Sequence, residues 1–327
     1  MIPKISERID HTNDMDEDGG IWKSPNLPCP KSVKISLDDH CQFKCSFCVN
    51  STQVNNPVMP WKMFTDLIDE LVANGTEEIG LFFIGEPLLE KRLEAAIKYV
   101  KIEGRKYGRE MYVFITTNGH LATPKRMEPL LKAGLDSIKF SYNYADEAQI
   151  TEVAKVPGRV FWDLVNNIKS LRKLRDAGGY KCGIYASSIV FNGQQHEKMV
   201  EAVKLIKEDV DEHYWLPQYS FGAQTDFGEQ VFGNTGRFEN QRHTLPCWTI
   251  FKEGHVTADG AVALCSFDVH DNWKAGSLKD GSFMQAWNSK VTQELRAKHL
   301  TRDVRGTACE ACAHGTQKKH IKITRAA

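Results

Sequence analysis

The sequence of 327 residues has no excess of charge of either sign and no long apolar run. Lysine and arginine together number 42, as do aspartate and glutamate, so no charged surface indicates a nucleic acid or an anionic membrane as partner. No apolar segment has the length that spans a bilayer, and residues 1–20 lack the apolar core of a signal peptide. We therefore expect a cytoplasmic protein with no nucleic-acid partner and no membrane partner.

Cysteine is the residue type that stands out, with nine in the chain. Because a reducing compartment does not keep structural disulfides, clustered cysteines indicate metal or redox chemistry. Seven of them form two groups, which are Cys41, Cys45 and Cys48, and Cys247, Cys265, Cys309 and Cys312. Cys29 and Cys182 stand alone, and a lone cysteine usually packs as a small buried hydrophobe.

The middle of the sequence alternates strand and helix patterns. Thr123, Pro124 and Gly134 are typical of the two ends of one such helix. Alternation of this kind predicts parallel strands with right-handed crossovers. Six units predict an α/β fold, either a partial TIM-like (β/α)6 barrel or a doubly wound sheet, and both bind ligands at the carboxyl ends of the strands. The predicted strands are 33–37, 78–84, 111–117, 137–142, 183–191 and about 213–219.

The pattern changes after residue 220. Residues 221–246 are rich in Gly, Gln, Asn and Thr and predict a long connection. Asp259-Gly260, between apolar segments 255–257 and 261–264, predicts a hairpin, and one helix is predicted over roughly 283–299. We expect a flexible lead-in over 1–30, a core domain over 31–225 and a small α+β domain over 226–327.

The first cysteine group lies in the loop 38–52, directly after the first predicted strand. Three cysteines hold a [4Fe–4S] cluster while leaving one iron open for another ligand, whereas a structural zinc site requires four ligands. A zinc knuckle with a distant fourth ligand, such as His40, is the alternative that the spacing leaves open.

Polar segments also follow the next three predicted strands. They are Gly85-Glu86-Pro87, Thr116-Thr117-Asn118-Gly119 and Ser141-Tyr142-Asn143. Each by itself is ordinary turn material. Because the carboxyl ends of parallel strands meet at one rim, these segments and the cysteine loop together predict a ligand site there.

Cys41-x3-Cys45-x2-Cys48, with Phe47 before the last cysteine, resembles the signature of the radical S-adenosylmethionine (SAM) superfamily. The segment 83–87 resembles the family's Gly-Gly-Glu-Pro motif, with Ile84 in place of the first glycine. The resemblance implies that the three cysteines hold a SAM-binding [4Fe–4S] cluster. It also implies a set of cofactor-binding residues, which are Phe47, Gly85, Glu86, Pro87, Thr117, Asn118 and Ser141.

The chemistry implied by this resemblance is reductive cleavage of SAM to methionine and a 5′-deoxyadenosyl radical. That radical removes a hydrogen atom from the substrate, while the protein orients the reactants and excludes water. A reductant such as flavodoxin or ferredoxin is the implied partner.

The second cysteine group, by spacing alone, suits a zinc ribbon or a fully ligated [4Fe–4S] cluster equally well. Cys247-x12-Gly260-x4-Cys265 followed by Cys309-x2-Cys312 resembles the SPASM/twitch extension of radical SAM enzymes. Because no cysteine follows Cys312, we expect the shorter twitch type, with one auxiliary cluster on four protein ligands. Its implied role is electron transfer.

The resemblance favours a radical SAM oxidoreductase that dehydrogenates or epimerises a small hydroxylated metabolite, such as a sugar or an aminocyclitol. Epimerisation requires a hydrogen donor, for which Cys182 at the start of the fifth strand is a candidate, with simple packing as the alternative. On the last strand, the candidates for a substrate pocket are His213, Tyr214, Gln218 and Tyr219.

Two other functions stay open. One is a peptide-modifying maturase, although about thirty residues before the first strand are too few for a folded peptide-recognition domain. The other is a non-catalytic zinc-binding scaffold, which would be colourless where an iron–sulfur protein is brown.

Overall fold

The computed structural model describes residues 2, 4–52, 55–191, 193–217, 245–268, 275–310 and 312. Within them, nine strands form one sheet. They are β1 (Ser32–Ile35), β2 (Glu78–Gly80), β3 (Tyr112–Thr117), β4 (Ser137–Ser141), β5 (Gly183–Ile189), β6 (Glu212–Leu216), β7 (Glu253–Val256), β8 (Ala261–Ala263) and β9 (Gly276–Ser277). Their order across the sheet is β6-β5-β4-β3-β2-β1-β7-β8-β9.

Helices connect the strands. They are α1 (Ile5–Asn13), α2 (Trp61–Ala73), α3 (Leu93–Lys106), α4 (Pro124–Ala133), α5 (Glu147–Ala154), α6 (Val160–Gly178), α7 (Gly193–Lys204), α8 (Thr249–Lys252), α9 (Phe283–Trp287) and α10 (Lys290–Leu300). Strands β1 to β6 pair in parallel and in chain order. A doubly wound sheet reverses its strand order at a switch point, so the sequential order confirms the partial (β/α)6 barrel. No helix among the described residues has both the length and the apolar character needed to cross a bilayer.

The ends of α4 illustrate how local sequence sets these boundaries. The Thr123 hydroxyl accepts a hydrogen bond from the Arg126 backbone N–H, Pro124 occupies the first helical position, and Gly134 adopts φ 97° just past the end. Only glycine adopts this left-handed conformation without steric cost. The predicted start and end of this helix are confirmed.

One predicted helix is divided in the structure. Instead of a single helix over 283–299, α9 ends at Trp287, and Ser289 caps α10 by accepting a hydrogen bond from the Thr292 N–H. Between the two helices, the Asn288 side chain donates to the Leu27 carbonyl oxygen and accepts from the Leu27 N–H. Asparagine and serine side chains compete with helical hydrogen bonds in this way, so they interrupt the helix.

The N-terminal lead-in is packed against the barrel and is not the flexible segment expected from the sequence. Ile5 of α1 is buried, and the Arg8 guanidinium lies 2.7 Å from the carboxylate of Glu78 at the start of β2. The Ser6 N–H donates to the Glu212 carboxylate at the start of β6. Helix α1 therefore covers the amino end of the barrel.

The C-terminal part continues the barrel sheet. Strand β7 pairs in parallel with β1, with Ser32 opposite Glu253. The predicted hairpin is confirmed, because β7 and β8 pair antiparallel around Gly260, which has φ 91°. The predicted connection 221–246 lies almost entirely outside the described residues, so the boundary between residues 225 and 226 stays a prediction.

Candidate active site

The cysteine loop after β1 is held in place by backbone hydrogen bonds to α5. The Lys44 N–H donates to the Ala154 carbonyl at 2.9 Å, and the Ser46 N–H donates to the Val153 carbonyl at 3.0 Å. These bonds fix the loop between the carboxyl ends of β1 and β4, since α5 follows β4 in the chain. The loop thus lies at the rim where the sequence predicts a ligand site.

The structure brings the three thiols of this loop close together. Burial raises the pKa of Cys41 to about 11 and that of Cys45 to about 12, and the negative charge of Cys48 contributes to both shifts. Among the described residues, no three His, Cys, Asp or Glu side chains already stand in a metal-coordinating arrangement. A coordinated thiol is deprotonated, so a bound cluster would lower these pKa values.

The donor set around this loop fits a three-cysteine cluster. His40, the fourth ligand in the zinc-knuckle alternative, directs its Nδ1 atom onto the Asp38 carboxylate at 2.6 Å and is half exposed. Its Nδ1 atom faces Asp38, so Nε2 is the ring nitrogen that could bind a metal. The three thiols of this loop match a [4Fe–4S] cluster with one open iron.

The Gly85-Glu86-Pro87 segment packs directly against the cysteine loop. A Cβ atom on Gly85 would lie 2.1 Å from the Asp38 carbonyl oxygen and 2.8 Å from the His40 carbonyl oxygen. The Glu86 N–H donates to the same His40 oxygen at 2.8 Å. Pro87 then begins a short 3-10 turn. Only glycine permits this approach of two backbones, which explains its presence at this point of the motif.

The Glu86 carboxylate joins the ends of β2 and β3. It accepts hydrogen bonds from the Thr117 hydroxyl at 2.5 Å, the Asn118 N–H at 2.8 Å and the Leu88 N–H at 3.1 Å. Burial raises the pKa of Glu86 to about 7. With its oxygens occupied in this way, the side chain orders the rim and leaves the backbone of the segment for the predicted contact with SAM.

Asn118 and Ser141 occupy the same rim. The Asn118 amide nitrogen lies 3.9 Å from Cys41 Sγ, and its amide oxygen accepts a hydrogen bond from the Gln42 side chain. Ser141 is the last residue of β4 and is paired with Ser187 of β5. Phe47 packs against the hydrophobic core. The predicted cofactor-binding residues thus come from the loop after β1 and from the ends of β2, β3 and β4, as expected, while their contacts with SAM stay a prediction.

Two further residues hold the cysteine loop and were not among the predicted site residues. The Asn50 side chain donates to the carbonyl oxygens of Asp39 and Ile84, so it fastens the loop to the segment after β2. The Tyr144 hydroxyl lies 2.9 Å from Cys45 Sγ. The only signal in the sequence was their position close to Cys48 and to the end of β4.

Cys182 does not face the rim, which corrects its interpretation as a hydrogen donor. It precedes β5, whose first residue Gly183 is paired with Ser137 at the start of β4, whereas the rim residue Ser141 is paired with Ser187. Four residues of strand separate these levels by about 13 Å. Cys182 is 1% exposed, and burial raises the pKa of its thiol. It therefore packs in the core, as the alternative proposed.

The last strand presents one of the predicted pocket residues to the barrel interior. Tyr214 lines a cavity there, while His213, its neighbour on the strand, points to the opposite face. His213 Nε2 lies 2.9 Å from the Ser188 hydroxyl, and its ring packs on Trp215. Gln218 and Tyr219 lie outside the described residues. Because successive side chains of a strand point to opposite faces, His213 does not line the cavity that Tyr214 lines.

The interior of the barrel holds a partly open space of about 110 Å³, here called the barrel cavity, which has both polar and apolar lining residues. Two ion pairs line it. They are Arg8 with Glu78 and Lys34 with Glu253, each with a closest N···O distance of 2.7 Å. Lys139 of β4 also lines the cavity. Apolar side chains, among them Ile5, Phe82 and Phe114, line the cavity together with these charged groups.

The second group of cysteines also converges in the structure. Burial raises the pKa of Cys309 well above its ordinary value, and the charges of Cys265, Cys247 and Cys312 raise it further. The Cys247 N–H donates to Nδ1 of the buried His299 at 3.1 Å. Four thiols from the turn before α8, the end of β8 and the C-terminal CxxC thus form one candidate ligand set, which matches a fully ligated cluster.

Comparisons with known proteins agree with this geometry. The model of the Radical SAM superfamily matches residues 35–206, and that of the SPASM iron–sulfur cluster-binding domain matches residues 247–313. A PqqA peptide cyclase from Granulibacter bethesdensis is 26% identical over 151 residues, which are 46% of this chain and 37% of that relative. The chain thus matches well under two thirds of this relative's length.

Two solved structures share the fold. BtrN in complex with AdoMet and 2-DOIA has a TM-score of 0.57 and 16% sequence identity, with 86% of this chain and 91% of that chain covered. Streptococcus suis SuiB bound to the precursor peptide SuiA has a TM-score of 0.67 and 13% identity, with 96% and 76% covered.

The superfamily match covers more than half of the chain and includes the three-cysteine loop and the ends of the first four strands. The second match contains all four cysteines of the C-terminal group. The protein therefore belongs to the radical SAM superfamily, carries a C-terminal SPASM domain, and uses SAM and [4Fe–4S] clusters as cofactors.

Proposed function

We propose that this radical SAM enzyme dehydrogenates or epimerises a small hydroxylated metabolite, such as a sugar or an aminocyclitol. Dehydrogenation is favoured, because Cys182, the candidate hydrogen donor for epimerisation, is buried at the amino end of β5. The observation that carries the proposal is the barrel cavity with its charged and hydroxyl-bearing lining residues. Its lining includes Lys139 of β4 and Tyr214 of β6, and α1 bounds it at the amino end of the barrel through Ile5, Arg8 and Ile9.

The size and lining of the cavity favour a small molecule. An engineered cavity of about 150 Å³ holds a benzene molecule, so about 110 Å³ holds part of a compact metabolite. Hydroxyl groups of a substrate find hydrogen-bonding partners there, since Ser137, Thr116 and Tyr214 line the space together with the charged groups. Polar groups at fixed positions are what give small-molecule sites their specificity.

The residues of the chain divide the work between them. Cys41, Cys45 and Cys48 would hold the SAM-binding cluster, and the four C-terminal cysteines would hold the auxiliary cluster. When bound, the first cluster supplies the electron that cleaves SAM, and the second supplies an acceptor for an electron from the substrate. Glu86 and Asn50 keep the rim in position. We also propose a reductant such as flavodoxin or ferredoxin as partner, and a cytoplasmic location that keeps the thiols reduced.

BtrN supports this proposal, because its solved complex contains a small molecule besides AdoMet and its fold is similar over most of both chains. A peptide-modifying function is the second candidate. It is favoured by the likeness in fold to SuiB, which was solved with a precursor peptide, and by the sequence match to a PqqA peptide cyclase.

The test begins with oxygen-free protein, SAM and dithionite. Brown protein with about eight irons per chain is expected if both sites hold [4Fe–4S] clusters, whereas colourless protein containing zinc would identify the scaffold. Aminocyclitols, hexoses, small hydroxy acids and short peptides are then compared for faster formation of 5′-deoxyadenosine. A Cys45→Ala variant is the control that should form none.

The products separate the two reactions and the two substrate classes. Dehydrogenation gives a product that is two hydrogens lighter, and epimerisation in D₂O gives one with a carbon-bound deuterium. If only peptides accelerate the formation of 5′-deoxyadenosine, the small-molecule proposal is wrong and the maturase function is adopted.

A further inference from the structure

Lys139 differs from the other charged residues of the barrel cavity. It lies in the middle of β4, paired with Thr116 of β3 and Tyr185 of β5. Its side chain lines the cavity. Ser141, at the rim, follows two residues later in the same strand, which is a rise of about 7 Å. A compact molecule below the SAM site can therefore reach the Lys139 ammonium group.

The other two cations of the cavity already have acidic partners. Arg8 pairs with Glu78, and Lys34 pairs with both carboxylate oxygens of Glu253. No carboxylate of the described residues forms a salt bridge with Lys139, and the charge that acts on it is the repulsive one of Arg8. Burial, together with this repulsion, lowers the pKa of Lys139 to about 8.

An unpaired cation inside a protein is costly, because it loses hydration without gaining a partner. Such a residue is expected to be replaced by an apolar one unless something else pairs with it. The Lys139 side chain is partly exposed and lines the barrel cavity, so a ligand in that cavity can supply the missing partner.

We propose that Lys139 binds a carboxylate of the substrate, which narrows the substrate class to small hydroxy acids. The inference rests on the proposed function. One ammonium group balances one negative charge, whereas a phosphate carries roughly −1.5 to −2 at neutral pH. Glu78 and Glu253 line the same cavity, and they would repel the second charge of a phosphate.

Binding in this manner also orients the substrate. The carboxylate lies at the level of Lys139, and the hydroxyl-bearing carbon points toward the rim, where Ser141 and the cysteine loop lie. A neutral sugar of the same size would lack this anchor. Lys139 therefore contributes to substrate specificity. It also holds the reacting carbon of the substrate in a fixed position, which efficient hydrogen transfer requires.

The experiment uses the cluster-loaded full chain with SAM and measures dissociation constants by calorimetry. The probes are glycolate, its neutral analogue ethylene glycol, and inorganic phosphate. Lys139→Met removes the charge at similar length, Lys139→Arg keeps it, and Lys132→Met on the exposed surface of α4 is the matched control. We expect glycolate to bind the wild type and Lys132→Met equally, and Lys139→Met at least tenfold more weakly, with Lys139→Arg in between.

Three results would overturn the inference. They are no glycolate binding by the wild type, equal glycolate binding by Lys139→Met, and phosphate binding as tight as that of glycolate. A thermal melt supplies an independent measurement, because removing an unpaired buried charge should leave the Tm of Lys139→Met equal to or above that of the wild type. A lower Tm would mean that Lys139 has a structural partner, and the inference would then be abandoned.

Failure of the proposed function gives a different result. Formation of 5′-deoxyadenosine driven by peptides alone would reject the small-molecule substrate, whatever glycolate does. Rapid turnover of neutral sugars together with unchanged glycolate binding in Lys139→Met would reject the role of Lys139 and keep the small-molecule function.

Discussion

Replacing Gly85 by alanine should separate the segment after β2 from the cysteine loop against which it packs. The added Cβ atom would lie 2.1 Å from the Asp38 carbonyl oxygen, 2.8 Å from the Asp39 carbonyl carbon and 2.8 Å from the His40 carbonyl oxygen. All three are backbone atoms, so no flexible side chain can move aside. The loop that carries Cys41, Cys45 and Cys48 must shift instead.

The size of the effect follows from these distances. Ordinary contact begins at about 3.4 Å, so the Asp38 oxygen must retreat from 2.1 Å by about 1.3 Å. Overpacking of this kind costs about 1–3 kcal/mol, which corresponds to a Tm lower by several degrees in a chain of this size. Misplacement of reacting groups by about 1 Å costs about 100-fold in rate. We therefore expect 5′-deoxyadenosine formation about 100-fold slower.

The assay measures iron content, Tm and the rate of 5′-deoxyadenosine formation with dithionite. Gly281→Ala is the control away from the cysteine loop, because its Cβ would meet the end of the Gln285 side chain, which forms part of the cap of α9, and no backbone atom. That control should keep its iron and its rate. Wild-type Tm and wild-type rate in Gly85→Ala would show that the close approach of the two backbones is not required, and the account of this motif would be rejected.

Three further predictions concern the cysteines. Cys309→Ala should lower the iron content from about eight to about four per chain and keep SAM cleavage, and unchanged iron would contradict the assignment of the second site. Cys182→Ala should keep full turnover with a modest loss in Tm, since the thiol packs in the core; loss of epimerisation alone would restore its role as hydrogen donor. Tyr144→Phe removes a hydroxyl 2.9 Å from Cys45 Sγ. Because hydrogen bonds to cluster sulfurs raise the reduction potential, a redox titration should give a lower potential for the SAM-binding cluster of this variant. An unchanged potential would mean that the hydrogen bond is not made when the cluster is bound.

Features that depend on neighbouring residues along the chain were predictable. The six parallel strands follow from apolar segments alternating with helical periodicity, and the ends of α4 follow from Thr123, Pro124 and Gly134. The first cysteine group and the second were recognisable from spacing, since a metal cluster constrains how far apart its ligands lie in a loop. The error on Cys182 was avoidable, because a residue that precedes a parallel strand lies at its amino end.

The helix predicted over 283–299 failed for a long-range reason. The Asn288 side chain bonds to both the N–H and the carbonyl of Leu27, far away in the chain, and its oxygen also accepts from Arg296. The lead-in was misjudged in the same way. Its polar composition suggested flexibility. However, Arg8 forms an ion pair with Glu78, a residue that is distant in the sequence and comes close only in the folded barrel.

The amino-acid sequence by itself determined the family, the two groups of candidate cysteine ligands and the order of the barrel strands, because each depends on spacing within a short segment or on a repeated local pattern. Only the tertiary structure decided that Glu86 joins two strand ends, that α1 covers the barrel, and that Lys139 lines the cavity without a salt bridge to any described carboxylate. The physical reason is that pairing, burial and exclusion from water depend on side chains from separate elements, whose distances are set when the sheet closes around them.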